Sequence, residues 1–146
     1  MSKGGFLRQH GLSVVATGIL TFWITLYAFS SDQTRWGSFF GNAIADWTGM
    51  VVMVLTTKRV YEKGSKESKS PVHRILSSGL FKLLREHSLT VFLLLTGAMW
   101  VLLFRRADPQ GKWGQVVGNI VSEWTQIIGL VLMTKKLKEA GSKESK

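Results

Sequence analysis

Residues 88–104 read SLTVFLLLTGAMWVLLF, an unbroken apolar stretch that carries no charged side chain. A helix of roughly 17–25 residues crosses a hydrocarbon core about 30 Å thick, so this stretch is long enough to span a membrane. Three more stretches have the same length and character. They are Leu12–Phe29 with no charge, Gly37–Thr57 with Asp46 alone, and Gly114–Thr134 with Glu123 alone. The sequence therefore predicts an all-α integral membrane protein with four spans.

The composition of the 146-residue chain supports the same class of protein. Hydrophobic residues make up 45% of the chain, yet 19 Lys and Arg against 9 Asp and Glu give a net charge of +10. A nucleic-acid-binding domain would spread its basic residues over amphipathic elements, whereas here they lie between long apolar runs. We therefore expect no nucleic-acid partner. The absence of cysteine excludes disulfides, thiolate metal sites and cysteine-based catalysis.

The two halves of the chain resemble each other. A shift of 77 positions aligns them without a gap, and 25 of the 69 aligned positions are identical. The matched pairs include Trp23 with Trp100, Trp36-Gly37 with Trp113-Gly114, Gly41-Asn42 with Gly118-Asn119, and Trp47-Thr48 with Trp124-Thr125. This similarity predicts a duplicated helical hairpin. Because each hairpin holds two spans, both copies insert in the same direction, as parallel repeats that together form a four-helix bundle.

The distribution of basic residues predicts the orientation in the membrane. Fifteen Lys and Arg precede the first span, lie between the second and third, or follow the fourth. The opposite turns hold only Arg35, Arg105, Arg106 and Lys112. Basic residues concentrate on the cytoplasmic side of a membrane. We therefore expect both termini in the cytoplasm and an anionic inner leaflet as the lipid partner.

Three segments follow from these patterns. Residues 1–69 form the first transmembrane hairpin repeat, residues 70–87 a cytoplasmic linker, and residues 88–146 the second hairpin with a basic tail. Ser70 and Pro71 are typical of a helix start. Apolar residues from Val72 to Leu84 fall broadly on one face, so the linker is either a short amphipathic helix on the inner leaflet or an extension of the third span.

Three motifs resemble an uncharacterised family of small bacterial four-helix membrane proteins. Residues 6–13 (FLRQHGLS) are similar to the opening of that family, and residues 63–69 (KGSKESK) to its Lys-Gly-Ser-x-Glu-Ser-Lys signature. Residues 119–126 (NIVSEWTQ) resemble its Asn-Trp-x-Ser-Glu-Phe-Leu-Gln signature. The resemblance covers nearly the whole chain. It implies the four-span fold and a location in the bacterial inner membrane, and it brings no assigned activity.

Asp46 and Glu123 occupy equivalent positions in the two repeats, near the middle of their spans. An acidic group there costs on the order of 2.5–3.5 kcal/mol, so both are expected to face the bundle interior. No Lys, Arg or His lies within the four spans to neutralise them. Each acid is therefore protonated, holds a cation, or lines a cavity that water enters. Helical spacing and adjacency bring hydrogen-bonding side chains close to the two acids, namely Asn42, Asn119, Gln126, Thr48 and Thr125.

Two interpretations of these polar residues remain open. They form a proton or cation site between the repeats, or they join helices through interhelical hydrogen bonds worth about 0.6–2 kcal/mol each. The indole N–H groups of Trp47 and Trp124 lie deep beside the acids and need partners. The small residues on the same helices are expected to allow close helix packing. They are Gly41, Ala45, Gly49, Gly118 and Ser122.

His10 and His87 lie at the inner boundary of the membrane. Two histidines could ligate a haem between helices, but the neighbouring Arg8 and Arg85 favour contact with lipid headgroups. We therefore expect no cofactor and no metal site. No arrangement typical of a nucleophile with its base is present, so the chain is not expected to be an enzyme. A homo-oligomeric ion- or proton-conducting pore is the first functional hypothesis. The alternative is a non-catalytic interaction or accessory subunit that binds a partner membrane protein.

Overall fold

The computed structural model describes residues 3–60 and 79–134, and both ranges are helical with no strand. The helices are α1 (Lys3–Phe29), α2 (Arg35–Thr56), α3 (Leu80–Glu86), α4 (Ser88–Arg106) and α5 (Lys112–Met133). Four of them, α1, α2, α4 and α5, are long and apolar enough to cross a membrane. They coincide with the four predicted spans to within a few residues, apart from α1, which begins well before Leu12. The all-helical class and the four apolar helices are confirmed.

The long helices pack in the order α1, α2, α5, α4. Helix α1 lies against α2, α2 lies against α5, and α5 lies against α4. The two helices that carry Asp46 and Glu123 therefore form the central pair. The core lies along these contacts and contains Tyr27, Ile44, Ala45, Leu89, Leu93, Val116, Ile120, Trp124 and Val131.

A glycine lies in the first turn of each of the two central helices. A Cβ atom on Gly37 would lie 1.9 Å from the backbone oxygen of Ser31, and one on Gly114 would lie 1.9 Å from that of Asp108. Real Cβ atoms do not approach a carbonyl oxygen so closely, so each short turn requires a glycine there. In the first turn, the hydroxyl of Thr34 also caps α2 by accepting a hydrogen bond of 3.0 Å from the Gly37 N–H.

Lys112 joins the two hairpins at the end of the membrane opposite to the linker. Its backbone oxygen accepts a hydrogen bond of 2.6 Å from the Tyr27 hydroxyl. Its ammonium group donates to the carbonyls of Ala28 at 3.2 Å and Ser30 at 2.5 Å. A positive charge at the C-terminus of a helix is favourable, because the carbonyls there have no partner within the helix. Lys112 therefore ties the end of α1 to the beginning of α5.

The described part of the linker is helical and distinct from the third span. Helix α3 ends at Glu86, α4 begins at Ser88, and His87 between them leaves the helical conformation with φ −122° and ψ 25°. This break favours a separate helix over a simple extension of α4. Residues 70–78, where the predicted amphipathic helix begins, lie outside the described residues.

Candidate intramembrane polar site

Asn42 on α2 and Asn119 on α5 face each other across the central helix pair. The Nδ2 atom of Asn119 donates a hydrogen bond of 2.6 Å to Oδ1 of Asn42. The two residues are 77 positions apart, so they align with each other under the shift that relates the two halves of the sequence. Each amide still has hydrogen-bonding groups that this single bond does not use.

The two acids lie one turn further along the same helices. Glu123 is half-buried, and its Cγ atom lies 3.0 Å from the position of a Cβ atom on Gly49. Gly49 therefore allows α5 to bring Glu123 directly against α2. Asp46 is exposed on α2, so within one copy of the chain it does not face the bundle interior as the sequence had led us to expect. In one copy of the chain, the site is covered on the Glu123 side and open on the Asp46 side.

The threonines beside the acids bond to their own helices. Thr48 donates to the carbonyl of Ile44 at 2.6 Å, and Thr125 donates to that of Val121 at 2.9 Å. A hydroxyl that bonds to the carbonyl four residues earlier is a common arrangement in helices. Thr48 and Thr125 thus have backbone partners, and the acids are left with the asparagines and Gln126 as the neighbouring polar side chains from the predicted set.

Trp124 has a partner that the sequence did not indicate. Its indole Nε1 donates a hydrogen bond of 3.0 Å to the hydroxyl of Thr96 on α4. Trp124 is buried, and its ring lies 5.9 Å from that of Trp100. Thr96, Gly97 and Ala98 interrupt the large apolar residues of the stretch 88–104, and they are the sequence feature that could have indicated this contact. Trp47, the equivalent residue of the first repeat, is half-buried.

The small residues lie at close contacts between helices, with one exception. A Cβ atom on Gly41 would lie 3.2 Å from the ring of Tyr27, and one on Gly118 would lie 3.0 Å from that of Phe104. Ala45 is buried in the core. Ser122 is exposed on α5. These contacts bring α1 close to α2 and α4 close to α5 at equivalent points.

A groove with a volume of about 560 Å³ runs along the exposed side of α5. It contains the side chain of Gln126, which is exposed, and the edge of Glu123. The remaining lining residues are mostly apolar, namely Thr125, Ile127, Gly129, Leu130 and Met133. The groove is therefore an apolar surface with one carboxamide and one carboxyl group at its edge.

The residues predicted at the membrane surface are separate from this site. His10, two turns inside α1, and His87, between α3 and α4, are half-buried, and Arg85 on α3 is exposed. Arg8 lies in α1, and its side chain is outside the described residues. Within residues 3–60 and 79–134, no three His, Cys, Asp or Glu side chains are grouped as metal ligands.

No protein-family model, curated protein or solved structure matches this chain. The resemblance to the four-span bacterial family therefore stays a prediction, and function has to be argued from the site. The site brings Asn42, Asn119 and Glu123 together along the contact of two long apolar helices, with Asp46 exposed at its edge. Such a group of oxygens, with no basic residue in the spans, is suited to binding a proton or a small cation.

Proposed function

We propose that this chain is a small integral membrane protein of the bacterial inner membrane that conducts protons or small cations. In this proposal, Asp46 and Glu123 are the groups that the ion meets inside the membrane. The observation that supports it most strongly is the continuous polar row between α2 and α5. That row consists of the two bonded asparagines followed by Glu123, with Asp46 at its exposed edge, and no Lys, Arg or His lies in the four predicted spans to neutralise the acids.

The energy of an acid inside a membrane favours an ion as the missing partner. A carboxylate at mid-membrane costs on the order of 2.5–3.5 kcal/mol, and two that repel each other cost more. A proton or a cation shared by Asp46 and Glu123 removes most of that cost. The side-chain oxygens of Asn42 and Asn119 lie one turn away, where they can replace part of the hydration shell of the ion.

The architecture that goes with this function is a bundle of two parallel hairpin repeats with both termini in the cytoplasm. The 25 identities among 69 aligned positions support the duplication. Equivalent close contacts support it as well, because Gly41 meets Tyr27 and Gly118 meets Phe104, each pair shifted by 77 positions. The excess of basic residues between the hairpins supports the orientation.

An ion flux assay tests the proposed function. Purified protein in liposomes is expected to pass protons or one of Na⁺ and K⁺ when a gradient is imposed, as reported by an ion-sensitive dye. Glu123→Gln is expected to lower that flux about tenfold, which corresponds to about 1.4 kcal/mol less stabilisation of the ion. Thr125→Val is the matched control, since its hydroxyl bonds to its own helix. Wild-type protein that passes none of these ions would contradict the proposal.

A non-catalytic accessory subunit is the second candidate. The groove on α5 and the exposed Asp46 and Gln126 favour it, because polar groups on a lipid-facing helix need a partner. Two results together would support this candidate over the pore. The protein would conduct no tested ion in liposomes, and a different membrane protein would purify with the chain in fixed proportion.

A further inference from the structure

The contact between α2 and α5 joins two different edges of equivalent helices. On α2, the contact uses Gly49, whereas on α5 it uses Glu123 and Ile127. The shift of 77 positions aligns Gly49 with Gln126, Asp46 with Glu123, and Met50 with Ile127. The contact is therefore head-to-tail between the two repeats. It leaves two helix edges without a partner, the Asp46–Met50 edge of α2 and the Gln126 edge of α5.

Exposure follows this division closely. On α2, the edge that corresponds to the half-buried Glu123–Ile127 edge of α5 is open, because Asp46 is exposed and Met50 is 47% exposed. On α5, Gln126 and Ser122 are exposed, whereas their α2 counterparts Gly49 and Ala45 are buried. The same positions are thus covered in one repeat and uncovered in the other.

We propose that a second copy of this chain occupies both free edges, so that α5 of one copy packs against α2 of the other through the equivalent helix faces, at a wider spacing because Gln126 stands where Gly49 allows the close approach within a copy. This places Asp46 of one copy against Gln126 of the other, where a carboxamide N–H donates to the carboxylate. Met50 of the second copy enters the groove on α5, as Ile127 meets Gly49 within one copy. The proposal rests on the repeat described under the proposed function.

The geometry closes the assembly into a ring of four inner helices. On a helix with 3.6 residues per turn, the Gly49 and Gln126 edges lie roughly 80–90° from the Asp46–Met50 and Glu123–Ile127 edges. When the two contact edges of each helix are about 90° apart, four helices close into a ring. These four are α2 and α5 of the two copies. Helices α1 and α4 then form an outer layer toward the lipid.

The ring gives partners to the amide groups that the single hydrogen bond between the two asparagines does not use. Asn42 and Asn119 lie between the two edges of their helices and therefore face the ring axis. Within one copy, Asn119 donates to Asn42. The equivalent bond between copies runs from Asn42 of one copy to Asn119 of the other. Four amides then form a closed cycle in which each donates once and accepts once, at the narrowest part of the path.

Disulfide trapping tests the ring directly, because the natural chain has no cysteine. Two populations with different tags, one Asp46→Cys and one Gln126→Cys, are mixed during expression and oxidised in the membrane. We expect a covalent pair that contains both tags. The matched control is Gly49→Cys with Glu123→Cys in one chain, which tests the equivalent contact within a copy. Val15→Cys with Leu95→Cys, both on exposed sides of the outer helices, is the negative control.

Formation of the link within a chain without the 46–126 link between chains would overturn the ring. A dominant link between two copies of position 46 would also overturn it, because it would mean a two-fold contact between identical edges. Native mass spectrometry gives a second measurement. The wild type is expected to have twice the mass of one chain, which is 16.3 kDa. The Gln126→Trp variant is expected to have the mass of one chain, because the larger side chain fills the groove. A linked pair that passes no ion would retain the ring and contradict the pore alone.

Discussion

Gly37→Ala and Gly114→Ala are each expected to prevent the chain from folding stably. A Cβ atom at either position lies 1.9 Å from a backbone carbonyl oxygen, of Ser31 or Asp108. The obstacle is backbone in a short turn, so no side chain can rotate away to relieve it. Forcing extra atoms into well-packed regions typically costs about 1–3 kcal/mol, and a collision with backbone lies at or above the upper end of that range.

The matched control for these variants is Gly18→Ala. Gly18 lies in the middle of α1, and a Cβ atom there meets nothing within 4 Å. Because alanine favours the helix over glycine by about 0.5–1 kcal/mol, this variant is expected to be slightly more stable than the wild type. Unfolding in mixed micelles with increasing SDS, followed by circular dichroism, measures all three variants. Equal stability of Gly37→Ala and Gly18→Ala would mean that the turn does not have the described geometry.

The double variant Asp46→Asn/Glu123→Gln is expected to abolish ion flux while the protein remains folded. Both amides keep the size of the acids, but each replaces one carboxylate oxygen, an acceptor, with an NH2 donor, and neither can take up a proton or neutralise a cation. We expect flux in liposomes to fall to the level of empty vesicles. We also expect the free energy of unfolding to stay the same or to rise by about 1 kcal/mol, because an amide costs less than a carboxylate inside the membrane.

Stability and flux together separate the two interpretations of the acids. If the acids only join helices through hydrogen bonds, the double variant loses up to about 2 kcal/mol per bond and its assembly weakens. A variant that is less stable and conducts as well as the wild type would contradict the proposed ion site. Asp46→Asn alone is an informative intermediate, since Glu123 remains against Gly49.

The spans were predictable from the sequence because exposing polar groups to lipid is costly, so membrane-spanning segments appear as long apolar stretches with almost no charged residue. The stretch from Ser88 and the ones around Asp46 and Glu123 appear as helices within a few residues of the expected bounds. The spacing of four between Asn42 and Asp46 also predicted a shared helix face. The hydrogen bond between Asn119 and Asn42 across the central helices was not predicted from the sequence.

The pairing of helices could not be predicted in the same way. Apolar content shows that a segment enters the membrane, but not which neighbour each face contacts, since lipid and helix surfaces are equally apolar. The hydrogen bond from Trp124 to Thr96 depends on how close α4 comes to α5, which Gly97 permits. The contacts of Lys112 with the end of α1 depend on the length of a flexible side chain at a turn.

Thiol labelling at the central helices tests most directly whether the polar row between α2 and α5 lines a path for water and ions. Single cysteines replace Asn42 and Asn119, and Val15 and Leu95 serve as lipid-facing controls, in membranes treated with a charged reagent that reacts with thiols only in water. The account predicts that Asn42→Cys and Asn119→Cys react and that labelling blocks flux, while Val15→Cys and Leu95→Cys stay unlabelled. No reaction at either asparagine position, with reaction at a control position, would contradict it.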